Sequence, residues 1–87
     1  MKNRILNLDN EIRLAEVLAA ALSDAGYAAE AIGDAKSAIT AIDKGPIDLV
    51  ITDMRMPEMD GRALLHAIKR ANADIPVIVI TAYTSMR

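Results

Sequence analysis

The sequence has no cysteine, phenylalanine or tryptophan, and only two tyrosines and one histidine. Without cysteine there can be no disulfide and no thiolate metal site. His66 alone cannot build a zinc centre. Without large aromatic rings, the core must come from Ile, Leu, Val and Met. Sixteen of the 87 residues are alanines, which bury little area each. Long apolar runs are also missing, and none approaches the ~20 residues of a membrane span. Lys2 and Arg4 are not followed by the apolar stretch of a secretory signal. Strong charge of one sign is absent too: 10 basic and 12 acidic residues give a net charge of −2. They are scattered, which is no footprint for nucleic acid. The expectation is one soluble, cytoplasmic domain with no membrane partner and no direct nucleic-acid binding. Its size is close to that at which a single core becomes marginal.

What is present alternates. Ile5 to Leu8 reads as a buried strand ending in Asp9 and Asn10. Glu11 to Ala25 has helical spacing, with Leu14, Val17, Leu18, Ala21 and Ala25 on one face. Asp9 or Asn10 is placed to cap it and Gly26 to end it. Tyr27 to Ile32 is a strand diluted by three alanines. Asp34 is placed to cap a second helix whose inward face is Ala35, Ala38, Ile39 and Ile42, and Gly45-Pro46 stops it. Ile47 to Thr52 is the next strand, with Asp53 at its carboxyl end. Met54 to Asp60 reads as a loop. Gly61 to Arg70 reads as a third helix, capped by Asp60, with Leu64, Leu65 and Ile68 inward. Val77 to Ile80 is the clearest strand, and Thr81 closes it. Apolar strands alternating with amphipathic helices predict an α/β fold, a parallel sheet covered on both faces.

Ligands of open parallel sheets bind beyond the carboxyl ends of the strands. There the sequence offers Asp9, Asn10 and Glu11, then Asp53, then Thr81. Two acids, an amide and a hydroxyl on one sheet edge are hard oxygen donors that suit Mg²⁺. A carboxylate beside such a cation can accept a phosphoryl group as an aspartyl phosphate. The cation is needed because a bare carboxylate repels a phosphate dianion.

These residues resemble a known family. Ile5-Leu6-Asn7-Leu8-Asp9-Asn10-Glu11 resembles the acidic first-strand motif of bacterial response-regulator receiver domains. The stretch from Ile47 to Gly61, with Thr52-Asp53-Met54-Arg55-Met56-Pro57 at its centre, resembles their phosphoacceptor strand and loop almost residue for residue. Pro76 to Ala82 resembles their fourth strand. The resemblance covers essentially the whole chain and implies a flavodoxin-like sheet of strand order 2-1-3-4, with residues 1–87 forming part of a receiver domain. It implies a two-component switch rather than a turnover enzyme. Asp53 would be phosphorylated by a sensor histidine kinase. The metal ligands would be Asp9, largely through water, together with Asn10, Asp53 and the main-chain carbonyl of Arg55. Thr81 would contact the phosphoryl oxygen, while Pro57 and Gly61 shape the loop. The family's fourth helix, fifth strand and fifth helix, with a phosphate-contacting Lys and an aromatic switch residue, are expected to be missing, as is any C-terminal output domain. Val77 to Ile80 would then be an apolar edge open to self-association, and one face of the first and third strands, near Leu6, Leu8 or their neighbours, would be uncovered.

The sequence also departs from the family pattern. Asn10 stands where the family usually has a second metal-binding Asp. Losing one charge beside a dication is worth roughly 2–4 kcal/mol in a partly solvated site, enough to lower Mg²⁺ affinity about ten- to a thousand-fold. Asn7 interrupts a strand expected to be apolar on both faces, so it needs a partner or it destabilises.

Simpler roles exist for each residue. Asp53 could end a strand, Asp9 and Asn10 could cap a helix, Thr81 could serve only its β preference, and Glu11 could offset the helix dipole. His66 reads as a surface residue, and Met54, Met56 and Met59 as packing. The alternative function is a degenerate receiver acting only as a protein-interaction module. A flavin-binding protein of similar fold would need a Ser/Thr/Gly-rich phosphate loop, and here that loop is acidic. A phosphatase with acids two apart after a strand is disfavoured by Arg55.

Overall fold

The computed structural model describes residues 3–53, 55–56 and 59–80, with side chains for 3–53 and 62–80. The elements run β1 (Arg4–Leu8), α1 (Ile12–Asp24), β2 (Ala28–Ile32), α2 (Ala35–Lys44), β3 (Leu49–Asp53), β4 (Arg55–Met56), β5 (Met59–Asp60), α3 (Gly61–Ala71) and β6 (Val77–Ile80). Four parallel strands form one sheet in the order β2-β1-β3-β6. Since β6 is the fourth strand of that sheet, this is the expected 2-1-3-4 order. Met54 to Asp60, expected as a loop, contains the short antiparallel pair of β4 and β5.

The register carries the weakest strand. Ala28 to Ile32 has little side-chain bulk, yet it pairs residue for residue with Arg4 to Leu8. The start of β1 is held where the Arg4 amide donates to Asp48 Oδ2 at 2.7 Å and the Asp48 amide donates to the Arg4 carbonyl at 2.8 Å. On the far side of β1, Ile5 to Leu8 pair with Leu49 to Thr52. Val50 to Asp53 pair in turn with Val77 to Ile80.

Alternation along the strands separates two faces. Leu6, Leu8 and Val50 point to one face. There they form a buried aliphatic cluster with Ala35, Ala38 and Ile42 of α2 and Leu64 and Ile68 of α3. Of the residues expected near an uncovered face, Leu6, Leu8 or their neighbours, Leu6 and Leu8 are at the centre of the core. Leu65, expected inward, is exposed. Ile5, Asn7, Ile51 and Asp53 point to the other face, where α1 lies.

The inward face of α1 also differs from the expectation. Its buried residues are Ala15 and Ala19, whereas Leu14 and Val17 are 55% and 69% exposed. The two alanines, four apart, let the helix lie close to the sheet, and the larger side chains flank that contact instead of making it. The helix ends as expected: Gly26 has φ +104°, which a side chain would strain. Gly26 and Tyr27 donate to the Ser23 and Leu22 carbonyls at 3.0 and 3.1 Å, a Schellman arrangement. Asp34 caps α2 as expected, accepting from the Ser37 amide at 2.9 Å. Gly45 ends that helix with extended backbone.

Candidate functional site

Asp53 is the last residue of β3, a strand flanked on both sides by β1 and β6. Asp9 follows the last residue of β1. Because β1 and β3 are parallel neighbours, both carboxylates emerge at the same edge of the sheet. They line one cavity of about 40 Å³, together with Asn7, Thr52, Leu14, Leu18 and Ile80. The cavity thus has polar groups contributed by β1 and β3 and apolar walls contributed by α1 and β6.

Each polar group has a distinct setting. Asp9 Oδ1 accepts from the Glu11 amide at 2.9 Å, which shapes the turn into α1. Glu11 occupies the N-cap position, with no side-chain cap bond, so neither Asp9 nor Asn10 caps the helix in the expected way. Thr52 is buried, and its hydroxyl donates to the Asp53 carbonyl at 3.1 Å. Among the described residues, no hydrogen bond reaches the Asp53 carboxylate. Asn10 is exposed and is not among the residues lining the cavity. The backbone of Arg55 lies in β4, two residues beyond Asp53. Thr81, Met54 and Pro57 lie outside the described residues, as do the side chains of Met56, Met59, Asp60 and Gly61. Glu11 and His66 are exposed. Among the described residues no three acidic or imidazole groups gather at one place.

Asn7 is the site residue that a search for acids misses. It is 1% exposed, and neither its Oδ1 nor its Nδ2 has a hydrogen-bond partner among the described residues. The signal was there in the sequence as a polar residue in the middle of an otherwise apolar strand. The structure places its amide on the cavity wall and, among the described residues, supplies no partner for it.

The whole chain can be set beside known proteins. The family model for the response regulator receiver domain matches residues 5–87. The chain belongs to the response-regulator receiver family. The transcriptional regulatory protein ZraR of Escherichia coli K12 is 39% identical over 82 residues, covering 94% of this chain and 19% of ZraR. The receiver TrrA of Thermotoga maritima, solved with Mg²⁺ and BeF, superposes with a TM-score of 0.85 at 33% identity, covering 97% of this chain and 72% of TrrA. TrrA in complex with the histidine kinase ThkA gives a TM-score of 0.86 at 33% identity, covering all of this chain and 74% of that one. This receiver chain thus spans a small part of the whole regulator it matches and about three quarters of the solved receiver. Among the described residues, no helix is long and apolar enough to cross a membrane.

The donor set fits the cation expected of a receiver. Asp9 and Asp53 carry hard carboxylate oxygens and line one cavity. Mg²⁺ is usually held by only one or two carboxylates and keeps several of its waters.

Proposed function

We propose that this receiver is a cytoplasmic phosphoacceptor switch, taking a phosphoryl group onto Asp53 from a sensor histidine kinase with Mg²⁺. The observation that carries the reading is the convergence of Asp53 and Asp9 on one cavity at the carboxyl edge of the sheet. TrrA, solved both with Mg²⁺ and BeF and with a histidine kinase, supports the same chemistry and partner. Asp53 would be the nucleophile: a P–O bond forms to its carboxylate as the P–N bond to the kinase histidine breaks, and the departing imidazole takes up a proton. Bound Mg²⁺ would neutralise charge between the carboxylate and the phosphoryl oxygens. Asp9 and Asp53 would hold it, with the Arg55 main-chain carbonyl and the Asn10 amide as further oxygen ligands. Thr81, just beyond β6, would contact the phosphoryl group. The chain would act through an output domain and turn over no substrate of its own.

The test is incubation with a small phosphodonor and Mg²⁺, followed by intact mass measurement and phosphopeptide mapping. One phosphoryl group on Asp53, absent from Asp53→Asn, is the expected result. Label on another residue, or undiminished label in Asp53→Asn, rejects it. The exposure of Asn10 outside the cavity favours a second reading, a degenerate receiver working only as an interaction module, and a complete lack of label selects it. The edge of β6 offers a further contact. Among the described residues β6 is paired only with β3, and its Ile78 and Ile80 are exposed. Self-association there would appear in sedimentation as a concentration-dependent dimer, abolished by Ile78→Lys.

A further inference from the structure

Asn7 sits in a central strand, paired on one side with Ala31 and on the other with Ile51. Neither of those side chains can hydrogen-bond. A carboxamide has two N–H donors and an oxygen acceptor with two lone pairs, and buried groups of this kind are nearly always satisfied, by water where protein offers nothing. Asn7 satisfies none of this through the described residues. Its side chain faces the cavity, whose volume of about 40 Å³ exceeds the ~10–15 Å³ needed for one water.

Asn7 lines the same cavity as the two carboxylates. Asp9 is two residues further along the chain, just past the end of β1, and Asp53 is two residues beyond Ile51, the β3 partner of Asn7. Two residues of strand rise about 6.6 Å. Asp53 also stands one strand over, ~4.8 Å sideways, so its backbone lies on a diagonal of roughly 8 Å from that of Asn7. Side chains leaning together across that diagonal are within reach of one water making two hydrogen bonds of ~2.8 Å each. The two acids are not equivalent, because Asp9 already accepts from the Glu11 amide and the Asp53 carboxylate accepts from none of the described residues.

We infer that Asn7 anchors an ordered water in the floor of the site, and that this water holds the carboxylate of Asp53. The Asn7 Nδ2 donates to the water, and the water donates to one Asp53 oxygen, leaving the other free for the incoming phosphorus. Asn7 is therefore a positioning residue, acting through the water. Its effect on phosphorylation rests on Asp53 being the acceptor, whereas the water site does not.

The experiment is NMR on the metal-free chain, wild type and Asn7→Leu, a variant of similar shape with no polar atom. The wild type should show water cross-relaxation to the Asn7 side-chain amide protons with the sign of a long-lived internal water. In Asn7→Leu the Asp53 carboxyl carbon shift should move while that of Asp48, at the opposite end of β3, stays. The variant should also melt at a higher temperature, and with Mg²⁺ and a small phosphodonor its phosphorylation rate should fall on the order of tenfold. A higher melting temperature with an unmoved Asp53 carbon and an unchanged rate would mean that Asn7 is only a buried polar defect, and overturns the inference. Absence of the water signal in the wild type overturns it without any variant. If the wild type shows the water and the carbon shift but takes up no phosphoryl group, the assignment of Asp53 as acceptor fails and the water site stands.

Discussion

The two faces of the sheet are built from the same four strands and have opposite characters. Beneath α2 and α3, Leu6, Leu8, Val50, Leu64 and Ile68 are almost wholly buried in one aliphatic cluster. Beneath α1, the strands present Asn7 and Asp53 beside Ile5 and Ile51, the helix makes its contact through two alanines, and Ile78 and Ile80 stay 49% and 43% exposed. A strand has a period of two, so a single sequence can serve both faces, with Leu6, Leu8 and Val50 holding the fold together and Asn7 and Asp53 reaching the site. Polar groups placed on the thinly covered face leave the dense core undisturbed.

That contrast is most directly broken by truncating one side chain on each side. Leu64→Ala removes a fully buried side chain from the α2/α3 cluster and should destabilise by about 2–5 kcal/mol. In a domain holding on the order of 5–15 kcal/mol in total, that is a large share. Val17→Ala, on the opposite helix and 69% exposed, should change stability by no more than ~0.5 kcal/mol. Urea unfolding of both variants checks this. Equal losses would mean that α1 carries a second core of the same weight.

The dense face was also the more legible one. Leu6, Leu8, Val50, Leu64 and Ile68 can be read from runs and helical spacing because burial there follows hydrophobicity. Asp34 was legible as a cap because its role is local. The α1 face defeats the same reasoning. Leu14 and Val17 carry a strong helical pattern, but which stripe turns inward was decided by how near the helix can approach, and that favours Ala15 and Ala19. Asp9 and Asp53 could be placed at one sheet edge from topology alone, since parallel neighbours end together. That Asn10 would lie outside the cavity depends on the turn through Asp9 and Glu11, where an Asp9 oxygen takes the Glu11 amide, and no periodicity reports such a turn.

Asn10 gives a sharper test on the site side. Asn10→Asp adds a charge near the proposed cation without touching the aliphatic cluster. Because the position is exposed, the gain is that of a solvated carboxylate beside a dication, about 2 kcal/mol at 4 Å. Mg²⁺ affinity should rise about thirtyfold, with unfolding in metal-free buffer little changed. Calorimetric titration of the two forms measures it. A gain of a hundredfold or more would mean that the residue turns into the cavity when the cation binds, and equal affinities would mean that it never reaches the cation.

The smallest effect concerns a local bond at the rim of the dense face, where Asp34 starts α2. Its carboxylate accepts from the Ser37 amide at 2.9 Å and from the Ser37 hydroxyl at 2.8 Å. The Ser37 backbone bond foremost, then the hydroxyl bond, hold its pKa below the ordinary value of 3.8. These bonds favour the charged form, so folding favours the deprotonated carboxylate. The stabilisation is then fully present above pH 3.8 and is lost as the pH falls through the lower folded-state value. Asp34→Ala should therefore lower the melting temperature slightly at neutral pH, and the gap between variant and wild type should close under acid. Melts of both proteins from neutral pH down into the acid range provide the comparison, with the exchange rate of the Ser37 amide as a local probe. A gap that stays constant with pH would show that the hydrogen bonds contribute through geometry alone and that the charge on Asp34 adds nothing to the cap.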